Sequence, residues 1–336
     1  MRKFCGTLAD IASVENLLEA WREFARGKQT KRDVQGFSLR LVDNILALRE
    51  DLINHTYRHG GYHAFNISDP KPRSIHKAAV RDRLLHHAIC RVLYPFFDKR
   101  FIADSYSCRV GKGTHKALDR FRSFAYRASR NHTRTCWVLK CDIRKFFASV
   151  DHRTLLDVLS RTIPDRDLIE LLEEIVASFS SGPVGVGLPL GNLTSQLFVN
   201  IYMNEFDQFV KHQLRVEHYL RYADDFAILS HERRWLEELM PLVDTFLRDR
   251  LRLTLHPEKV FIKSFASGVD FLGWVHFPDH RVLRTTTRRR MMKRIAASPA
   301  RETISSYAGL LRHGNTRRLE RELFVAGGAL LPYYGE

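Results

Sequence analysis

Three aspartates carry the chemistry legible in this chain: Asp142 at the end of an apolar run, and the adjacent pair Asp224 and Asp225 between two others. An Asp-Asp pair alone says little, because acidic dipeptides are common in solvated turns. Here the pair sits in Tyr222-Ala223-Asp224-Asp225-Phe226, preceded by Tyr219-Leu220-Arg221 and followed by Ala227-Ile228-Leu229. Two like charges between apolar strand residues repel each other and call for cations. Phosphoryl transfer from a nucleoside triphosphate needs such a place. Two divalent ions roughly 4 Å apart lower the pKa of an attacking hydroxyl and neutralise the leaving pyrophosphate. Hard oxygen ligands point to Mg²⁺.

For the three carboxylates to converge, they must stand at neighbouring strand ends. Cys136 to Cys141 suits a buried strand ending at Asp142, and His218 to Ser230 reads as two short strands flanking the Asp pair. Asp151 is a plausible N-cap for a helix through Leu155, Leu156 and Leu159. A second helix repeats Leu168, Leu171, Leu172, Ile175, Val176 and Phe179 up to Gly182-Pro183, and a third runs from about Thr194 to Leu214. Leu236, Leu239, Met240, Val243 and Leu247 mark a fourth, followed by strands around Val260 to Lys263 and Val269 to Val275. Strand, helices, strand pair, helix, strand is the order of a sheet with helices on one face, close to a split βαβ arrangement. There is no internal repeat or low-complexity tract.

Upstream, the first sixty residues read as helices, with Val14, Leu17, Leu18, Trp21 and Phe24 on one stripe and Leu41, Val42, Ile45 and Leu52 near another. A basic and aromatic stretch through Arg100, Tyr106, Arg109 and Lys112 suits a lobe that faces nucleic acid. Downstream, Arg281 to Arg321 holds twelve Lys or Arg against Glu302 and Glu320, a local net of +10. Within it Arg288, Arg289, Arg290, Lys293 and Arg294 surround Met291, Met292 and Ile295, as on a helix with one buried stripe and a cationic surface that would track a duplex.

Composition agrees with a polyanionic partner. Lys plus Arg number 54 against 38 Asp plus Glu in 336 residues, giving +16 and a pI near 9.8. The five cysteines show no CxxC spacing and read as reduced core residues of a cytoplasmic protein, and the sixteen histidines show no zinc-finger spacing. Acidic residues at Asp10, Glu15 and Glu19 interrupt any signal-peptide apolar stretch. The uncharged run Ile175 to Asn204 is broken by Pro183, Pro189 and nearby glycines, so no membrane span is expected there.

From about Pro70 to Trp274 the ordered motifs resemble those of a reverse transcriptase. Cys141-Asp142-Ile143-Arg144-Lys145-Phe146-Phe147-Ala148-Ser149-Val150-Asp151-His152 is similar to the family's first palm motif. That resemblance implies a metal ligand at Asp142, helped by the Ile143 carbonyl, and a steric gate at Phe147 that excludes a 2′-hydroxyl. Tyr222 to Phe226 resembles the catalytic hairpin, with Asp224 and Asp225 as ligands. Lys259, beside Pro257 and Glu258, resembles a lysine that donates a proton toward pyrophosphate, and Phe271-Leu272-Gly273-Trp274 resembles the primer grip. Lys71, Arg73, Arg81, Asp82, Arg83 and His87 resemble the fingers pattern, which implies Arg73 and Lys71 on the triphosphate. Core aromatic, surface lysine and buried strand remain the plain alternatives for Phe147, Lys259 and the 271–274 segment.

The loop Gly187-Leu188-Pro189-Leu190-Gly191-Asn192-Leu193-Thr194-Ser195-Gln196 narrows the resemblance. Leu190 stands where most reverse transcriptases have Gln, and Gln196 where they have Pro, a form similar to the enzymes of diversity-generating retroelements. Gly191 would let the backbone approach the nucleotide or template base. That subfamily implies error-prone copying at template adenines of a template-repeat RNA into cDNA, and work with an accessory variability protein. The chain shows no segment resembling RNase H, maturase or endonuclease, so partners are expected in priming or template delivery. Alternatives are a retron or group II intron-like reverse transcriptase, or a noncatalytic palm-derived RNA-binding scaffold.

The fold implied is α+β, a right-hand polymerase fold with fingers, ferredoxin-like palm and helical thumb. The expected divisions are 1–135 for N-terminal helices and fingers, 136–275 for the palm and 276–336 for the basic helical thumb. Two Mg²⁺ ions and deoxynucleoside triphosphates are the expected cofactors and substrates.

Overall fold

A computed structural model describes residues 3–68, 72–297 and 300–326. Four helices open the chain: α1 (Leu8–Ala12), α2 (Val14–Ala25), α3 (Arg32–Ser38) and α4 (Leu41–Ile53). The α2 stripe is as expected, with Leu17, Trp21 and Phe24 buried and Ser13 capping the helix by accepting from the Asn16 N–H. On α4 the buried face is Ile45, Leu48 and Leu52, while Val42 points outward at 64% exposure, so it is not part of the stripe.

An exposed antiparallel ribbon follows, β1 (Tyr62–Ile67) and β2 (Arg73–Ala78), then α5 (Val80–Asp98) and α6 (Thr114–Ala128). The stretch expected to face nucleic acid between those helices is largely internal. The Tyr106 hydroxyl donates to buried Asp104, and Arg109 spends its guanidinium on Asp98 and the carbonyls of Ile102 and Ser105. A basic-aromatic pattern in sequence does not distinguish side chains that bridge loop carbonyls from side chains that meet solvent.

The central sheet holds β3 (Trp137–Asp142), β4 (Tyr219–Tyr222), β5 (Asp225–Ser230) and β6 (Phe261–Ser264) in the order β4-β5-β3-β6, all neighbours antiparallel. That is the ferredoxin-like order for two βαβ halves. Between β3 and β4 lie α7 (Phe146–Ser149), α8 (His152–Ser160), α9 (Arg166–Ala177) and α10 (Leu193–Gln208), the last closing in a π turn over Phe209–Gln213. Asp151 and Asp165 cap α8 and α9 by accepting from the Thr154 and Leu168 N–H groups. Helix α11 (Arg233–Leu251) joins β5 to β6.

The helices that join the strands pack on one face of the sheet, as the element order predicts, and other elements cover the second face. Leu139, Cys141, Tyr219 and Ile228 join a core with α8 to α11 and the N-terminal helices. Val138, Leu220, Ala227 and Leu229 join a second core with Phe121 of α6 and the C-terminal elements. The mostly apolar runs of β3, interrupted by Lys140, and β5, each buried at its four central residues, are the sequence trace of that sandwiching.

After β6 come β7 (Val269–Phe271), β8 (Trp274–His276), β9 (Arg281–Leu283), α12 (Thr285–Ala297), α13 (Arg301–Leu311) and α14 (Arg317–Ala326). The segment expected as one strand, Val269 to Val275, is a hairpin: Leu272 and Gly273 take φ of 49° and 88° and turn the chain, with Phe271 paired to Trp274. Two successive positive φ angles make the tight turn that matches strand twist. On α12, Met291 and Ile295 form the buried stripe beneath a cationic surface, as the periodicity predicts. Of the cysteines, Cys90, Cys136 and Cys141 are core residues, whereas Cys5 and Cys108 are exposed. Among the described residues, no helix is long and apolar enough to cross a membrane.

Candidate active site

The strand ends bring the three aspartates together. Asp142 is the last residue of β3 and the register partner of Asp225, the first residue of β5. Directly opposed residues on antiparallel strands lie about 4.5–5.5 Å apart at Cα, close enough for their carboxylates to share ligands. Asp224 occupies the two-residue turn between β4 and β5, and its carbonyl accepts from the Ile143 N–H at 3.1 Å. The Asp142 carbonyl in turn accepts from the His256 N–H at 2.8 Å. Backbone bonds therefore lock the turn, the end of β3 and the loop before β6 into one unit.

Burial makes the carboxylates costly. Asp225 is pushed up to about 6, chiefly by burial, with Asp224 and Asp142 adding repulsion against the pull of Lys140. Asp224 is also raised, first by burial and then by the Asp142 charge, while Lys259 and Arg73 act in the opposite direction. Two ammonium groups stand beside these carboxylates. Lys259 Nζ donates to Asp142 Oδ1 at 2.9 Å, and Lys140 Nζ lies 3.0 Å from Asp225 Oδ1. The Lys140 ammonium is thus the buried counter-charge of Asp225 and pulls its pKa down against the effect of burial. Converging hard carboxylate oxygens, their pKa values raised by burial and then by one another's charge, fit a divalent cation.

Sequence reasoning misses Lys140, although it lies in the apolar run before Asp142. A lysine buried in a central strand needs a counter-charge, and that requirement is the signal that could have found it.

The residues expected to meet the nucleotide are tied to one another through the Leu190 loop and the β1–β2 ribbon. Phe147 follows the short α7 start, packs half-buried against Phe146, and its carbonyl accepts from the Leu188 N–H at 2.7 Å. The Leu190 loop is tied to the β1–β2 ribbon: the His76 N–H donates to the Leu190 carbonyl at 2.9 Å, and Asn192 Nδ2 to the His76 carbonyl at 3.4 Å. Gly191, at φ 108°, lies against Ile75, where an added Cβ would come within 2.8 Å of the Ile75 methyl. Its freedom thus serves the approach of the ribbon, which carries exposed Arg73 on β2 with its charge near enough to influence Asp224. Leu190 and Gln196 are half-buried, Gln196 in the first turns of α10. Lys71 lies outside the described residues.

The other expected fingers residues are structural. Arg81 pairs with Asp51, Arg83 with Asp33 at 2.6 Å, and Asp82 is buried, accepting from the Tyr57 hydroxyl at 2.8 Å. His87 is held neutral by burial, its pKa lowered to about 4. In the 271–274 segment, Phe271 and Trp274 are core residues at 0% and 1% exposure, and Gly314 packs directly on the Trp274 ring. Only the Leu272–Gly273 turn of that segment is available to meet a primer, because a tight hairpin sends its two flanking aromatics to the same inner face. On α12, Arg289, Lys293 and Arg294 are exposed, while Arg288 is engaged with Glu322 at 2.9 Å.

Comparison with known proteins gives a consistent kinship. The family model described as reverse transcriptase (RNA-dependent DNA polymerase) matches residues 68–276. Protein YkfC of Escherichia coli (strain K12) is 26% identical over 317 residues, covering 81% of this chain and 80% of that protein. The group II intron-encoded protein LtrA of Lactococcus lactis subsp. cremoris is 22% identical over 293 residues, covering 66% of this chain and 47% of LtrA, so the chain spans about half of LtrA's length. Among solved structures, an apo telomerase from Candida tropicalis truncated from the C-terminal domain aligns at TM-score 0.49 and 12% identity, covering 72% of this chain and 60% of that one.

Proposed function

Because this chain belongs to the reverse transcriptase (RNA-dependent DNA polymerase) family and has a right-hand polymerase fold, we propose that it extends a primer 3′-end with deoxynucleotides on an RNA template. The observation that carries this reading is the convergence of Asp142, Asp224 and Asp225 on one sheet edge. Asp142, the Ile143 carbonyl, Asp224 and Asp225 would hold two Mg²⁺, which when bound supply charge neutralisation and acidify the attacking hydroxyl. Around them the chain's own residues divide the remaining work. Arg73, with Lys71, offsets charge on the triphosphate, and Phe147 fills the space a 2′-hydroxyl would need. Lys259 is within reach of Asp142 and more than two-fifths exposed, so it can turn outward to give a proton to the leaving pyrophosphate. The Leu272–Gly273 turn would support the primer, and Arg288, Arg289, Arg290, Lys293 and Arg294 of α12 the duplex phosphates. In this reading residues 1–135 act as fingers, 136–275 as palm and 276–336 as thumb.

Within the family we propose the specialisation of a diversity-generating retroelement: copying a template-repeat RNA into cDNA with errors at adenines, for mutagenic retrohoming, together with an accessory variability protein. Support comes from Leu190, which lacks the polar amide of the Gln that most reverse transcriptases have there, and from Gln196, which lacks the rigid ring of their Pro. Without a polar group at position 190, discrimination in the transition state is weaker. The kinship with LtrA favours a second reading, a group II intron-like enzyme.

Primer extension on RNA with Mg²⁺ and deoxynucleotides, comparing wild type with Asp224→Ala/Asp225→Ala, tests the activity. Extension by wild type alone supports the polymerase, and silence from both in the presence of the accessory protein and cognate RNA would favour a noncatalytic RNA-binding scaffold. Sequencing the products tests the specialisation. Errors concentrated at template adenines, and reduced by Leu190→Gln, support the retroelement; an even error spectrum unchanged by that substitution supports the intron-like reading.

A further inference from the structure

Arg221 is fully buried in the middle of β4, and its guanidinium reaches three other parts of the fold at once. Nε and Nη2 grip Asp207 of α10 at 2.8 and 2.7 Å, and Nη2 also donates to Ser105 Oγ at 3.2 Å. Nη1 donates to the Ala223 carbonyl at 3.0 Å and to Asn200 Oδ1 at 3.4 Å. Asp207, equally buried, accepts from the Tyr219 hydroxyl at 2.6 Å. Asn200 Nδ2 donates to the carbonyls of Ser107 and Gln196 at 3.0 and 3.2 Å.

Stability alone does not account for this arrangement, since a well-packed apolar pair of the same volume often serves a core as well as a buried ion pair. The position of its third arm does. Ala223 sits at φ 56° in the two-residue turn between Tyr222 and Asp225. That region costs a non-glycine residue about 1–2 kcal/mol, and hairpin turns usually place Gly, Asn or Asp there. Arg221 holds the carbonyl of that residue, and the next two residues are Asp224 and Asp225.

We infer that Arg221, gripped by Asp207 and steadied by Asn200, is a positioning residue that holds the Ala223 turn so that Asp224 and Asp225 aim at Asp142. The inference deepens the polymerase reading and rests on it for its purpose. Its geometry also links the turn to α10, because Asn200 bonds both Arg221 and the Gln196 carbonyl.

The test uses the full chain as wild type, Arg221→Lys, Asn200→Ala and Arg221→Lys/Ala223→Gly. Lysine keeps the charge beside Asp207 but has no planar fork to span Asp207 and the Ala223 carbonyl together. Thermal melting establishes which variants fold, Mn²⁺ binding without substrate is followed by electron paramagnetic resonance, and Mg²⁺ is then titrated in primer extension. The expected result is Mn²⁺ binding weakened about 10- to 100-fold in folded Arg221→Lys, with a parallel rise in the Mg²⁺ needed for half-maximal extension. Asn200→Ala shifts both in the same direction by less, and Ala223→Gly, which removes the φ penalty, restores part of the loss. Wild-type Mn²⁺ affinity in whichever of Arg221→Lys and Asn200→Ala folds would overturn the inference. A wild type that binds Mn²⁺ yet extends no primer would instead overturn the polymerase reading, so the two failures are separable.

Discussion

Asp142 and Asp225 face each other as register partners across β3 and β5, and each has its own ammonium: Lys259 on the solvent side of Asp142, Lys140 beneath Asp225. Lys259 is 43% exposed and free to turn away, whereas Lys140 is 8% exposed and bound into the strand. The two lysines therefore have different fates when another cation or a substrate arrives, and each can be tested.

Lys140→Met leaves the Asp225 carboxylate buried without its counter-charge. Removing one partner of a buried pair costs about 3–5 kcal/mol. Urea denaturation in EDTA should show a loss of that order, partly recovered when Mg²⁺ is added, and an unchanged midpoint in EDTA would dismiss the pair as unimportant.

Asp224→Asn should separate activity from stability. Its folded-state pKa is raised, first by burial and then by Asp142, so the charged form is a burden on the fold at pH above that value. The amide variant is expected to melt about 1–3 °C higher than wild type in EDTA, while primer extension falls by about 10²–10³-fold or more. A lower melting temperature would mean the carboxylate is structurally needed.

Phe147→Ala should admit ribonucleotides. Because Phe147 is also packed against the core, some loss of stability is expected, so the informative readout is the ratio of kcat/KM for deoxy- over ribonucleotide, which stability does not enter. A fall in that ratio of about 10–200-fold is expected from opening one side-chain volume. A ratio that stays put would return Phe147 to the role of core aromatic.

On the duplex, Arg289→Gln and Lys293→Gln should each reduce the slope of log affinity against log salt by about 0.9, with affinity weakened alike on unrelated sequences. Arg288→Gln should do less, since Glu322 already engages it. If the triple neutralisation of Arg288, Arg289 and Arg290 leaves the slope as it was, α12 does not track phosphates.

Acid should weaken the fold through its buried histidines, most of all His86 and His276. Burial, first among the causes, lowers both His86 and His276 to about 3. The unfolded chain takes up their protons near pH 6.5 while the folded chain does not, so stability is intact above about 6.5 and is lost as pH falls toward 3, at up to about 1.4 kcal/mol per pH unit for each group. Neither ring nitrogen of His276 has a hydrogen-bond partner among the described residues, and the ring packs on Phe121. His276→Leu should therefore fold well at neutral pH and flatten the urea midpoint between about pH 6 and 4; a profile as steep as wild type would assign the acid sensitivity elsewhere.

How much of this was legible in the linear chain follows from the range of the forces involved. The apolar run ending at Asp142, the flanked Asp224-Asp225 pair, the Asp151 cap and the Met291–Ile295 stripe are local patterns, and each took the form its periodicity or capping chemistry required. Contacts between distant segments were not legible. The sequence does not say that α6 and strands β7 to β9 cover the back of the sheet, that Tyr106 and Arg109 turn inward to bond Asp104 and Asp98, or that Phe271 and Trp274 are core residues. Lys140 and Arg221 stand in short apolar strands where charge looks out of place, and only the tertiary structure supplies Asp225 and Asp207, 85 and 14 residues away, as the carboxylates that make their burial tolerable. The chain by itself determined which residues could do chemistry, because side-chain type and local period are written in it; the tertiary structure decided which charges meet, because a buried charge is stable only where the fold brings it a partner.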